Sequence, residues 1–85
     1  MSACPALYYY GVTPEQWAAA KAEVAAEYKI EITSDVGTAS EDGITIGWNF
    51  DGKNVSIQCT GKPFILSCDF VNSRIDAAVK AGLGR

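Results

Sequence analysis

Residues 44–60, ITIGWNFDGKNVSIQCT, restrict the fold more than any other stretch, because two alternating runs flank Asp51-Gly52. Asp-Gly favours a type I′ turn, whose two central residues both need positive φ, so the pair predicts a β-hairpin. With Asp51 and Gly52 at the tip, Trp48 faces Val55, Ile46 faces Ile57 and Ile44 faces Cys59. The other face pairs Asn49 with Asn54, Gly47 with Ser56 and Thr45 with Gln58. Every large apolar residue in these pairs then falls on one side. A slip of one residue would undo that separation.

Around the hairpin the periodicity changes. In VTPEQWAAAKAEVAAEY, Thr13 suits an N-cap, Pro14 the first helical position, and Gln16 completes a capping box. Trp17, Ala20, Val24 and Tyr28 recur at helical spacing, predicting a helix over 14–27. From Lys29 the period becomes two: Ile30 and Ile32 alternate with Lys29, Glu31 and Thr33, as in a strand with one wet face. DVGTASEDG, residues 35–43, is polar and glycine-containing and reads as a loop. After the hairpin, a turn over Thr60–Pro63 would place Phe64, Leu66 and Cys68 on the inward face of a returning strand. Asp69 suits the N-cap of a last helix over 70–81, with Val71, Ile75, Ala78 and Val79 as its apolar stripe and Gly82 as its stop.

The expected architecture is therefore α+β in the order α-β-β-β-β-α, an antiparallel meander with both helices on its apolar face. ALYYYGV, residues 6–12, could add an edge strand. Residues 1–12 read as an arm or edge strand, 13–82 as a single domain and 83–85 as a frayed end. Eighty-five residues fit one domain with a modest core.

Ten carboxylates against seven cations, a net charge of −3, give no footprint for a phosphate backbone. The start lacks the basic flank and long apolar run of a signal peptide, and no apolar run spans a bilayer. Three cysteines cannot all pair within one chain, and so sparse a count favours a reducing compartment. A cytoplasmic location without membrane attachment is the expectation.

Cys68 and Arg74 share the Cys-x5-Arg spacing of phosphatase loops, in which a thiolate attacks phosphorus and an arginine holds the oxyanion. The intervening Asp, Phe, Val, Asn and Ser include no glycine to curl a phosphate cradle. Asp69 would also repel an incoming dianion. Cys68 reads better as a small buried hydrophobe. The chain has no histidine, which removes Cys-His and Ser-His devices. Cys59 and Cys68 fall opposite different residues, so neither zinc nor a disulfide is expected from them. Asp35, Glu41 and Asp42 match no calcium-loop spacing. No metal or cofactor is expected.

Two surfaces remain as candidates for binding a partner. One is Tyr8, Tyr9 and Tyr10, which cannot all face one way in a strand; tyrosine is favoured at protein interfaces. The other is the neutral outer sheet face of Thr45, Asn49, Asn54, Ser56 and Gln58. The leading expectation is a small protein acting by association with a protein partner or with itself, without catalysis. A thiol enzyme or redox protein using Cys68 with Arg74 is one alternative. The other is weak nucleic-acid binding through Lys53, Lys62 and Arg74. The element order is similar to that of double-stranded RNA-binding domains, which run α-β-β-β-α, but the start of the last helix sets Arg74 and Lys80 beside Asp69 and Asp76.

Overall fold

A computed structural model describes residues 3–85; Met1 and Ser2, part of the expected arm, lie outside the described residues. The elements are β1 (Leu7–Tyr9), α1 (Pro14–Tyr28), β2 (Val36–Glu41), β3 (Ile44–Phe50), β4 (Val55–Gly61) and α2 (Cys68–Leu83). The fold is α+β, with one antiparallel sheet in the order β1-β4-β3-β2 and two helices. The inward residues of β3 and β4, including Ile46, Trp48, Val55 and Ile57, form one buried cluster with Trp17, Ala20 and Val24 of α1 and Val71, Ile75 and Val79 of α2.

The first helix forms as its sequence predicts. Thr13 Oγ1 accepts from the Gln16 amide and the Gln16 side chain accepts from the Thr13 amide, closing the capping box. Lys29, at φ 56°, turns left-handed and ends the helix. That turn also disposes of the strand expected over 29–33. Ile30 is buried, but it sits in an irregular connection with its amide bonded to Ala25 O.

The neighbour of β3 is instead residues 36–41, which had the composition of a loop. Turn chemistry decides this outcome. Asp42 and Gly43 both have positive φ, 54° and 81°, and join β2 to β3 through a two-residue turn with Glu41 opposite Ile44. At Asp51-Gly52 only Gly52 is left-handed. The Asp51 carboxylate accepts from the amides of Lys53 and Asn54, and Asp51 N donates to Asn54 O. These bonds lengthen the hairpin tip, so Trp48 meets Ile57 and Ile46 meets Cys59, two residues beyond the expected pairing. Over Ile46–Phe50 the shift is even and preserves the faces, so Ile46, Trp48, Val55, Ile57 and Cys59 are buried as expected. A bulge between Thr45 and Ile46 sets Thr45 opposite Gly61 instead of Gln58 and leaves Ile44 half-buried. The Asn54 amide bond, then that from Lys53, holds the Asp51 carboxyl below its usual range.

The strand expected over 64–68 is absent. Pro63 has no N–H for a ladder, Leu66 N closes a turn onto Pro63 O, and Phe64 is 91% exposed. Ser67, rather than Asp69, caps α2 by accepting from Phe70 N. The free edge of β4 is taken by β1, the added N-terminal strand the aromatic arm allowed, with Leu7 opposite Ile57 and Tyr9 opposite Val55. Gly84, not Gly82, is the left-handed C-cap of α2.

Gly82 has a different duty. A Cβ there would overlap the Ala20 backbone, so the glycine lets α2 lie directly on α1. Helix propensity alone would favour Gly82→Ala by about 1 kcal/mol. Overpacking predicts the opposite sign, a loss of roughly 2 kcal/mol. A lowered urea midpoint with unchanged slope is the expected result.

Candidate functional site

The structure brings most of the two expected surfaces together. Pairing of β1 with β4 sets Tyr8 opposite Ser56; Ser56 faces Asn49, and Asn49 faces Val36. Tyr8, Ser56, Asn49 and Val36 thus form one row across all four strands on the outer face. Tyr8 and Val36 are each 61% exposed and stand at the two ends of that row. Beside it Thr38 faces Gly47 and Gly47 faces Gln58, and glycine at the centre keeps the floor low. A shallow concavity of about 360 Å³ results. A second, of about 330 Å³, shares Tyr8, Asn49 and Ser56 and extends past Tyr10 to Asn54 and Asp51. Asp51 is the one ionisable group with an acidic or basic side chain lining either concavity, apart from the tyrosine phenols.

Not every expected residue belongs to this groove. Tyr9 points the other way, is 7% exposed, and donates its hydroxyl to Asp76 Oδ1 at 2.8 Å. It is a core residue, which the alternation of three successive tyrosines required of at least one of them. Thr45 lines neither concavity; its hydroxyl is bonded to Ser40 Oγ at 2.7 Å. Gln58 contributes to the wall while its amide donates to Cys4 O. Val36 and Thr38 went unseen in the sequence because 35–43 read as a loop. The second Asp-Gly pair, at 42–43, was the signal that could have found them.

The sulfur of Cys68 is joined to Cys4 in a disulfide, with Cα atoms 5.3 Å apart. Cys68 is thus a half-cystine rather than the small buried hydrophobe expected; the expectation against a disulfide covers only Cys59 with Cys68 and leaves Cys4 out. What brings the partner in is the extension of β1, where Cys4 N donates to Cys59 O beside the start of α2. Arg74 is turned to Glu27, its Nε donating at 2.7 Å, and its guanidinium lies over the Phe70 ring. In this state Cys68 has no thiolate to offer. Cys59 is the free thiol, buried, and burial pushes its pKa up. Among the described residues no group of three or more His, Cys, Asp or Glu side chains is placed to hold a metal ion. Among the described residues no helix is long and apolar enough to cross a membrane.

Two measurements test these placements. In denaturant without reductant, a thiol reagent should titrate one sulfur per chain, from Cys59, and three after reduction. In alkali, burial and then the Glu27 charge push Tyr28 up to about 12. Burial, then the hydrogen bond to Asp76, raise Tyr9 as well. Both phenols are favoured neutral by folding, so their contribution is complete below about pH 10 and is lost as pH rises through the folded values. Tyr9→Phe should therefore flatten the loss of stability above about pH 10, read by urea unfolding at stepped pH.

Compared with known protein families, curated proteins and solved structures, the chain matches none.

Proposed function

We propose that this chain is a binding module that acts by protein association through the outer face of its sheet, without catalysis of its own. The observation that carries this reading is the row from Tyr8 through Ser56 and Asn49 to Val36, which joins both candidate surfaces into one groove. Its exposed tyrosines offer large contact area with a polar tip, and the amides and hydroxyls between them can pair with a partner's polar groups. The groove carries little charge, so docking there rests on shape and hydrogen bonding more than on long-range attraction.

Self-association is one version of this reading. A protein partner of other sequence is the second. Nucleic-acid binding has less support, since Arg74 is engaged with Glu27 and Lys80 with Asp76. The cytoplasmic location expected from the cysteine count sits poorly with the Cys4–Cys68 bond, and an oxidising compartment fits that pair better.

Sedimentation velocity across a concentration series tests the self-associating version. Reversible association should weaken about tenfold in Tyr8→Ala, an effect typical of an interface tyrosine, and stay unchanged in Phe64→Ala. A monomer at every concentration removes that version. Photo-crosslinking from position 49, against position 23 on α1 as control, then reads for a different partner.

A further inference from the structure

The sheet has two edges, and they are treated differently. The β1 edge is three residues long, anchored by the Cys4–Cys68 bond and broken off by Gly11 at positive φ. The β2 edge is six residues long and pairs with β3 without a bulge. From Val36 to Ser40 it has no proline, no charge and no side chain larger than valine. Proteins ordinarily blunt such an edge with lysine, proline or a bulge.

The direction of its backbone groups follows from one hydrogen bond. Phe50 N donates to Asp35 O, and these two residues stand directly opposite in the register that runs on through Val36 and Asn49. In an antiparallel ladder, alternate residues bond to the neighbouring strand. Gly37, Ala39 and Glu41 therefore bond to β3, while Val36, Thr38 and Ser40 direct their N–H and C=O groups away from the sheet. A second contact agrees: Val36 O accepts from Ser34 Oγ at 2.8 Å, a partner outside the ladder.

The ends of this edge are acidic. Asp35 precedes it, exposed but with Lys21 Nζ 3.8 Å from its Oδ1, and Glu41 and Asp42 close it, both exposed and in no salt bridge among the described residues. Two copies of β2 paired antiparallel about Thr38 would set Asp35 against Glu41 of the other copy, a like-charge contact that Lys21, 3.8 Å from one Asp35 oxygen, offsets only in part. A second copy is thus a poor occupant. We propose that the β2 edge is a strand-addition site for an extended segment of a partner protein, five to seven residues long. That segment has an uncharged, β-branched centre and a lysine or arginine at each end. Main-chain bonds to Val36, Thr38 and Ser40 hold it, and the acidic ends select its flanks. This site shares Val36 and Thr38 with the groove but uses their outward main-chain groups rather than their side chains, so its failure would leave the groove reading standing.

The probe is a blocked peptide, Lys-Val-Thr-Val-Thr-Val-Lys, with Glu-Val-Thr-Val-Thr-Val-Glu as its charge reverse. Titration of the folded chain, followed by amide NMR, should shift and protect the amides of Val36, Thr38 and Ser40 with the lysine peptide, at least tenfold more tightly than with the glutamate peptide. Thr38→Pro removes an N–H that faces away from β3, so it should keep the native spectrum elsewhere and lose binding at least tenfold. Glu41→Lys with Asp42→Lys should bring the two peptides to equal affinity or invert them. Tyr8→Ala should change none of this. The proposal fails if those three amides do not respond, if both peptides bind wild type alike, if Thr38→Pro binds as wild type, or if the charge reversal leaves the preference intact.

Discussion

Two buried indoles need acceptors for their N–H groups, and two consecutive residues supply both. Trp17 Nε1 donates to Asp35 Oδ1 and Trp48 Nε1 to Ser34 O, each at 3.0 Å. An unpaired donor in that core would cost about 1–3 kcal/mol, so the two bonds strongly favour one path for the chain between α1 and β2. With Ser34 and Asp35 held there, Val36 arrives beside Asn49 and the whole ladder is phased. Gly37 then lies over the Trp48 ring, where an added Cβ would already press on the indole. The outer groove and the open edge both inherit their geometry from this hook.

Much of the architecture is legible in the residues because local chemistry and burial agree. The capping box of α1 and the stripe of α2 are strong signals that the tertiary structure has no reason to override. The inward face of β3 and β4 survives even though the pairing slides by two residues, since alternation constrains parity more tightly than position. The failures share one cause. Ile30, Ile32, Phe64 and Leu66 have the pattern of strands, yet a left-handed Lys29 and the proline turn at 63 keep their backbones out of the sheet. Small polar residues at 36–41 have no such pattern, yet the Asp42-Gly43 turn folds them onto β3.

The candidate surface was half legible for the same reason. Tyr8, Asn49, Ser56 and Gln58 belong to segments whose parity was readable, so their common face was readable too. Tyr9 followed from alternation only as one of two choices. Val36 and Thr38 depended on recognising β2. The Cys4–Cys68 bond depended on placing β1 beside β4, a contact between residues nearly fifty positions apart that no local pattern announces.

That bond also changes how the molecule carries tension. It links the fourth residue to the first residue of α2 across a separation of 64 positions. A pull on the two ends would pass from Cys4 through sulfur to Cys68 and on along α2, leaving the intervening chain outside the load path. Stretching the oxidised protein would extend one helix and a few terminal residues. A protein joined to neighbours at both ends would therefore behave as a short, stiff tether while oxidised and as a long, extensible one once reduced.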